Sequence, residues 1–421
     1  MSKLQKQAKE LLQSAHKIYH YRRDLIPEGR LDELEKAVGE VDTFMRKKPC
    51  NDVDLEAAMG RLDGLLGKVG GKMYPKTFWN DNIEVLLVAA ILVIGVRTFF
   101  FQPFIIPTNS MYPTYSGMNS VVYEAEADSP SAAKKILSKL VLGASHFRVD
   151  APQAGVVRVP VFSQAPGSSD QRLRGMGVAR FDVVGGRKWF VLPAQKREYL
   201  FYVDDQPIKL RVPFEFSLDQ VILDTFFPEA SSLMQVVVQS HEAGQTNVLS
   251  ENPVLETTRN VQTGEAVVEF DITLGDALFV DRISYHFDRP EAGDPFVFRT
   301  REIPGIEGGV DKYYIKRIGG VGSETLEIVD GTLLANGEPR HEVEAFGRNA
   351  DREGEYGGYI NTNLLAEGRQ LTIPDDSYVA LGDNSGNSLD SRYWGFVPDT
   401  SVIGKAIFIY YPFTKRWGLA E

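Results

Sequence analysis

The stretch IEVLLVAAILVIGVRTFFFQPFIIPTNSMYPT, residues 83–114, decides how this chain is organised, because a long apolar run leads directly into a serine among turn residues. The 19 residues of the apolar run, 83–101, would form a helix of roughly 28 Å, close to the hydrocarbon thickness of a bilayer. Arg97 lies near one end, where its side chain can reach the headgroups. The uninterrupted part, 85–96, also has a length that suits a buried core helix. We predict one transmembrane anchor over residues 79–106, with a core helix as the alternative.

The distribution of basic residues predicts the orientation of this anchor. Lys68, Lys72 and Lys76 precede the apolar run, whereas the first lysine or arginine after Arg97 is Lys134. Cytoplasmic flanks of membrane helices are enriched in Lys and Arg. We therefore predict a single-pass protein of the cell (inner or plasma) membrane, with the N-terminus in the cytoplasm and the large C-terminal part on the outer side.

Composition limits the classes of function. The chain has 421 residues, is 43% hydrophobic and carries a formal net charge of −11, which argues against nucleic acid as a partner. The single cysteine, Cys50, lies before the apolar run, so no disulfide is expected. His16 and His20 have helical spacing but no third ligand, and we predict neither a metal nor a cofactor. The sequence leaves the oligomeric state open.

Hydrophobic periodicity divides the rest of the chain. Apolar residues at helical spacing predict a helical cytoplasmic region over residues 1–78. Residues 119–272 are rich in short apolar runs and turn residues, and we predict an inserted β-rich domain there, with a short helix at 134–142. The short strands of this domain are predicted at residues 155–162, 189–192, 199–203, 234–238 and 266–270.

Three separated stretches carry the candidate chemistry. Ser110 lies in the turn-like sequence FQPFIIPTNSMYPT, residues 101–114. Lys316 lies in YIKRIGG, residues 314–320, where strand alternation would bury Lys316 and leave Arg317 on the other face, or the reverse. A dense polar loop, GDNSGNSLDSRYWGFVP, occupies residues 382–398. Each stretch alone can be structural: a turn serine, a surface lysine and an ordered loop.

In this order, the three stretches resemble the bacterial type I signal peptidases, membrane-bound serine proteases with a Ser/Lys dyad. The resemblance covers roughly residues 83–118 and 273–412. It implies that Ser110 is the nucleophile and Lys316 the general base. It also implies that the Thr108 hydroxyl and the Ser110 backbone N–H donate hydrogen bonds to the oxyanion.

The resemblance assigns supporting roles as well. Ser388 would hydrogen-bond the lysine, and Asp390 and Arg392 would hold the supporting loop. Ile105 and Ile106 would line shallow substrate pockets that accept small residues.

The sequence departs from the family pattern in several places. Asn109 stands where glycine is common, Thr108 where serine is common, Ser385-Gly386 where Arg-Asp is usual, and Gly322-Ser-Glu where Pro-Gly-Asp is usual. The change at 385–386 is expected to weaken a salt bridge in the loop. The insertion between residues 113 and 274 is the largest departure.

The prediction is therefore a mainly β protein with an antiparallel catalytic domain of signal-peptidase type, formed by residues 107–118 and 273–421. Its expected activity is cleavage of signal peptides from exported preproteins after small-x-small motifs, at the lipid bilayer. One alternative is a specialised peptidase for pilins or surface proteins with the same dyad. The other is a non-catalytic, membrane-anchored β-rich binding protein.

Overall fold

The structure is a computed structural model of the chain, and it describes most of the sequence. The described residues are 3–47, 51–75, 78–124, 128–162, 178–188, 192–243, 247–249, 252–306 and 311–420. They divide into two compact units, residues 1–96 and residues 97–421.

Helices dominate the first unit, and strands dominate the second. The helices of the described residues are α1 (Lys3–Arg22), α2 (Glu28–Arg46), α3 (Asp52–Val69), α4 (Phe78–Phe99), α5 (Ala132–Leu142), α6 (Asp219–Phe226), α7 (Leu233–Glu242), α8 (Glu344–Ala350) and α9 (Ser391–Trp394). The strands are β1 (Phe101–Ile105), β2 (Asn119–Val122), β3 (Ser145–Asp150), β4 (Gly155–Pro160), β5 (Phe181–Lys188), β6 (Leu192–Val203), β7 (Gln206–Pro213), β8 (Asn247–Leu249), β9 (Asn252–Val261), β10 (Ala266–Thr273), β11 (Ala277–Asp281), β12 (Pro295–Arg299), β13 (Tyr313–Val321), β14 (Thr325–Val329), β15 (Thr332–Ala335), β16 (Glu338–Pro339), β17 (Leu371–Thr372), β18 (Ser377–Leu381), β19 (Val397–Pro398), β20 (Val402–Tyr411) and β21 (Gly418–Leu419).

The first unit contains a small bundle of α1, α2 and α3, as the helical periodicity of residues 1–78 predicts. Each helix buries one apolar stripe, and together the stripes form a single core. The side chain of Asn51 accepts a hydrogen bond from the N–H of Val53 and caps α3. The buried members of this core include Ala8, Leu12, Ile18, Leu34, Val41, Leu55, Leu62 and Leu66.

Helix α4 occupies much of the predicted anchor. Several of its apolar side chains are exposed, among them Leu86, Ile91 and Val93. Among the helices of the described residues, none combines the length and the apolar character that crossing a bilayer requires. The helix ends at Phe99, and β1 then pairs with β11, so the last residues of the predicted 79–106 anchor belong to a sheet.

The second unit is built around a sheet of eight strands in which every pairing is antiparallel. Its order is β1-β11-β20-β12-β13-β18-β19, and β21 pairs with β20. A second, four-stranded sheet has the order β16-β15-β14-β17. Strand β13 lies between β12 and β18 and buries five consecutive residues, 316–320. Such a run shows that both faces of this strand are covered, because successive side chains point to opposite faces.

Residues 119–273 contribute two further sheets, with the orders β2-β10-β3 and β5-β6-β4-β9-β8; β7 pairs with β6. One apolar core lies within this segment, and its buried residues run from Val149 to Ile272. The predicted helix at 134–142 corresponds to α5. The predicted strand at 234–238 is wrong, because these residues lie in α7, where Leu233 and Val236 are buried at helical spacing. The predicted strand at 189–192 falls mostly outside the described residues.

Candidate active site

Ser110 lies in a single helical turn, Asn109–Met111, between β1 and β2. The backbone around it is held by two asparagines. The carbonyl of Ser110 accepts the N–H of Asn384 at 3.1 Å, and the Asn384 side chain donates to the Asn109 carbonyl at 3.0 Å. The Asn109 side chain in turn accepts the N–H of Gly117 at 2.7 Å. Asn109, which stands where the family usually has glycine, thus fastens the turn that presents Ser110.

Lys316 reaches Ser110 from the centre of the main sheet. Its ammonium Nζ lies 2.7 Å from the Ser110 Oγ and donates a second hydrogen bond to the carbonyl of Ile315 at 3.0 Å. Both side chains are buried: Lys316 is 5% exposed and Ser110 is 7% exposed. Residues 206 positions apart in sequence are therefore brought into direct contact by the packing of the Ser110 turn against β13.

The surroundings of Lys316 disfavour a charged amine. Among the described residues Lys316 has no carboxylate within ion-pair distance, and the Tyr314 ring lies 5.7 Å from Nζ. Burial lowers the pKa of Lys316 from 10.5 to about 8, although the more distant carboxylates of Asp390 and Asp383 act in the opposite direction. A useful fraction of this amine is therefore neutral near pH 8, and a neutral amine can accept the proton of a serine hydroxyl.

The neighbouring cation, Arg317, is also buried, at 1% exposure. This corrects the prediction that one of the two adjacent cations would be solvated, because both faces of β13 are covered. Arg317 forms a two-pronged ion pair with Asp383, with N···O distances of 2.8 and 2.7 Å. It also donates to the carbonyl of Gly293 at 2.8 Å, and Thr114 donates to Asp383 at 2.5 Å.

The sequence reasoning missed this Arg317–Asp383 pair and the role of Asn384. The available signal was the position of Asp383 and Asn384 within the polar loop that already contains three predicted site residues. Only the pairing of β13 with β18 sets Arg317 opposite the start of this loop.

Asp390 and Arg392, the two residues with a predicted supporting role, form an ion pair within the polar loop. The Asp390 carboxylate accepts two side-chain N–H groups of Arg392, both at 2.8 Å, and the N–H of Gly382 at 3.1 Å. Arg392 also donates to the hydroxyl of Ser385 at 2.6 Å and to its carbonyl at 2.7 Å. The serine that replaces the family's usual arginine at 385 is thus an acceptor for Arg392, and it binds the N–H of Ile360 as well, at 2.9 Å.

Ser388 lies beside the dyad but does not hydrogen-bond the lysine, contrary to the prediction. Its hydroxyl is buried and has no hydrogen-bond partner among the described residues. The second acceptor of Lys316 is a backbone carbonyl instead. Ser388 packs against Gly382, and a Cβ at Gly382 would collide with both the Ser388 hydroxyl and the Ser110 carbonyl. Gly382 therefore permits the close approach of the loop to the Ser110 turn.

The predicted substrate-binding pair does not lie on one surface. Ile105 is 47% exposed, whereas Ile106 is 3% exposed and belongs to the apolar core beneath the sheet. Alternation of side chains explains the difference, and it removes Ile106 from a pocket shared with Ile105. Thr108, two residues before Ser110, is exposed.

This geometry places a potential serine nucleophile and a lysine base in one buried pair, which is the arrangement of a Ser/Lys hydrolase site. Comparison with known proteins gives a consistent result. The family model described as "Signal peptidase, peptidase S26" matches residues 257–411. Ser110 itself lies outside the matched segment.

Individual relatives are also named as signal peptidases. The chain is 32% identical over 145 residues to a signal peptidase I of Leptolyngbya laminosa, covering 34% of this chain and 64% of the relative. It is 34% identical over 145 residues to a probable signal peptidase I-1 of Synechocystis sp., covering 34% of this chain and 66% of the relative. The chain thus spans slightly less than two thirds of these relatives. A solved signal peptidase I of Enterococcus faecalis is 31% identical, with 28% of this chain and 97% of that chain covered and a TM-score of 0.22. The chain belongs to the type I signal peptidase family.

Proposed function

We propose that this protein is a serine endopeptidase that removes N-terminal signal peptides from exported preproteins after small-x-small motifs. The observation that carries the proposal is the 2.7 Å contact between Ser110 Oγ and a buried Lys316 that has no adjacent carboxylate among the described residues. The sequence similarity to signal peptidases supports the choice of substrate.

In the proposed mechanism, neutral Lys316 takes the proton of the Ser110 hydroxyl as Oγ attacks the scissile carbonyl. The resulting ammonium gives this proton to the leaving amine, and an acyl-enzyme ester remains on Ser110. The amine then accepts a proton from a water molecule that attacks the ester. As the bond between the acyl carbon and Ser110 Oγ breaks, the ammonium returns this proton to Oγ, and the new carboxyl group leaves. The same amine serves as base and acid in turn, as the balance of protons requires.

Two donors are proposed for the oxyanion: the backbone N–H of Ser110 and the hydroxyl of Thr108. One such donor typically contributes about 3 to 4 kcal/mol to transition-state stabilisation. The exposure of Thr108 beside the buried Ser110 supports this assignment. The Asn109 and Asn384 contacts would keep the donors in position before substrate arrives.

The substrate would bind as an extended strand along the backbone that precedes Ser110. Among the described strands, β1 has a partner, β11, on one side only, so its other edge can form backbone hydrogen bonds with a peptide. Exposed Ile105 would contact a small side chain of the substrate there. Shallow apolar contact of this kind suits alanine-sized residues.

Attachment to the membrane through α4 is a separate part of the proposal. It is supported by the exposed apolar side chains of α4, which water solvates poorly. The predicted orientation, with the N-terminus in the cytoplasm and the peptidase unit on the outer side, belongs to this part. Protease protection of residues 1–75 in sealed inverted vesicles would contradict that orientation.

The decisive experiment is cleavage of a preprotein with an Ala-x-Ala site by the wild type and by Ser110→Ala and Lys316→Ala variants. We expect a cut after the second alanine with the wild type and no cut with either variant, while circular dichroism shows that both are folded. Equal cleavage by Ser110→Ala would refute the proposed nucleophile. Absence of cleavage by the folded wild type would favour a specialised substrate or a non-catalytic protein.

A further inference from the structure

Helix α5 exposes three large apolar residues to solvent. No residue of this helix is fully buried, and Ile136, Leu137 and Leu140 are 63%, 61% and 67% exposed. Water-soluble domains usually turn the apolar face of a surface helix inward. The reverse orientation indicates a face that meets an apolar medium.

The arrangement around the helix axis is that of an interfacial helix. At 100° per residue, the three exposed apolar side chains fall on one side, and Lys134 and Lys139 flank them on the two borders. The opposite side, with the half-buried Ser138, faces the protein. Amphipathic helices that lie in a membrane surface place apolar residues in the bilayer and lysines at headgroup level in this way.

Helix α5 is basic. The helix sequence AAKKILSKLVL contains three lysines and no acidic residue, in a protein whose formal net charge is −11. Among the described residues, Lys134 and Lys139 have no carboxylate within ion-pair distance. Their charges are therefore available to an external anionic surface.

The helix is fixed to the main sheet, so its apolar face has a defined direction. The Tyr411 hydroxyl at the end of β20 lies 3.1 Å from the carbonyls of Lys139 and Leu140. The N–H of Phe413 donates to the carbonyl of Val141 at 3.1 Å. Phe413, whose backbone contacts the last turn of the helix, is itself 60% exposed.

The end of the sheet that contacts α5 also contains the segment that precedes Ser110. In the register of β1, β11 and β20, Ile105 is paired with Ala277 and Ala277 with Tyr411. One row across the sheet thus links the segment before Ser110 to the anchoring point of α5. Two strand spacings, about 10 Å, separate the ends of this row.

We propose that α5 and Phe413 form a docking surface for a bilayer that contains anionic lipids, with Ile136, Leu137, Leu140 and Phe413 among the acyl chains and Lys134 and Lys139 at the headgroups. Helix α5 lies in the insertion and Phe413 follows β20, so this contact is distinct from any attachment through α4. It would hold the segment before Ser110 at a fixed height above the membrane. The proposal does not depend on the peptidase activity.

The test uses a fluorescent label that reports on α5 alone, so that binding through α4 does not mask the result. Because Cys50 is the only cysteine, a Cys50→Ser chain can carry a single new thiol for an environment-sensitive dye. The thiol is introduced as Leu137→Cys in one variant. It is introduced as Val329→Cys in the control, a position in β14 that is 43% exposed. Each full-length variant is reconstituted in vesicles of phosphatidylcholine with phosphatidylglycerol, or of phosphatidylcholine alone, that contain lipids with nitroxide-labelled acyl chains.

We expect strong nitroxide quenching at position 137 in the phosphatidylglycerol vesicles and little at position 329. Changing Lys134 and Lys139 to Gln should weaken docking about fivefold per charge removed, as expected for basic residues at an anionic surface. Equal quenching at 137 and 329 would overturn the proposal. So would quenching at 137 that is unaffected by phosphatidylglycerol or by the lysine changes. Concentration-dependent self-quenching at 137 without lipid quenching would instead identify a second copy of this chain as the partner. Circular dichroism of each variant verifies folding.

Discussion

Lys316 and Arg317 are consecutive residues of one strand, and both are buried. They differ in their partners, because, within the described part of the chain, only Arg317 has a carboxylate beside its charge. Arg317 meets the Asp383 carboxylate with two hydrogen bonds. Lys316 meets a hydroxyl and a carbonyl. Burial acts to lower the pKa of each cation, but the ion pair with Asp383 offsets it for Arg317, whose pKa is raised. The pKa of Lys316 falls to about 8.

The difference shows that burial alone does not make a base. A buried cation with a matched carboxylate keeps its proton and connects structural elements, here β13, the Ser110 segment through Thr114, and the loop that begins at Gly382. A buried cation without one loses stability as an ion and becomes chemically useful. The ion pair of Arg317 and Asp383 fixes strand β13, which also carries the proposed base, Lys316.

The largest effect is expected from Lys316→Arg, which converts the reactive cation into a copy of its neighbour. Arginine stays protonated at any practical pH, so kcat for preprotein cleavage should fall by about 10⁴-fold or more. The matched control is Lys405→Arg, at a lysine that is ion-paired with Asp294 and 40% exposed, and it should keep near wild-type activity. Substantial activity of Lys316→Arg would remove the lysine from the proposed mechanism.

Asp383→Asn tests how much the ion pair with Arg317 contributes to the stability of the fold. Arg317 would remain charged and buried without its partner, which typically costs about 3 to 5 kcal/mol of unfolding free energy. Urea unfolding of the full chain measures this loss. Glu344→Gln, which removes an exposed ion pair with Arg348, should cost only about 0.3 to 0.5 kcal/mol. Similar losses of unfolding free energy for both variants would mean that the buried Arg317–Asp383 pair contributes no more to stability than an exposed pair.

The pH dependence follows from the lowered pKa of Lys316. The neutral amine is the active form, so kcat/KM should rise with pH and level off above about 8. Below that value each unit of pH should reduce kcat/KM about tenfold. For stability the sign is the same: the folded state disfavours the charged amine, so its penalty is full below about pH 8 and disappears as pH rises to 10.5. A rate profile that is flat between pH 6 and 9 would contradict this account.

The smallest effects should separate two serines of the supporting loop. Ser385→Ala removes an acceptor of Arg392 and a partner of the Ile360 N–H, which should cost about 1 to 3 kcal/mol of unfolding free energy. Ser388→Ala removes a hydroxyl without a partner among the described residues and should change stability by about 0.5 kcal/mol or less. A clear loss of activity in Ser388→Ala at unchanged stability would mean that its hydroxyl acts only when substrate is bound. Equal stability losses in the two variants would contradict the observed difference in hydrogen bonding.

Local sequence patterns were sufficient for some of the structure. The periodicity of apolar residues predicts the helices of residues 1–69 and the short helix at 134–142, because a helix needs only its own residues to define an apolar stripe. The same reasoning failed at 234–238. An apolar run of this length fits a strand or a buried helix equally well, and the packing of Leu233 and Val236 decides the outcome.

The sequence by itself determined which residue types could react: a serine among turn residues, a lysine in a strand and a polar loop with Asp390 and Arg392, each recognisable from local chemistry. Only the tertiary structure decided which groups meet. It joined Ser110 to Lys316 and gave Arg317 the carboxylate of Asp383. It also left the Ser388 hydroxyl without a partner in the described part of the chain, and it exposed Ile105 while burying Ile106. The physical reason is that burial, ion pairing and pKa depend on the distance between groups that are far apart in the chain, and the order of strands in the sheet sets those distances.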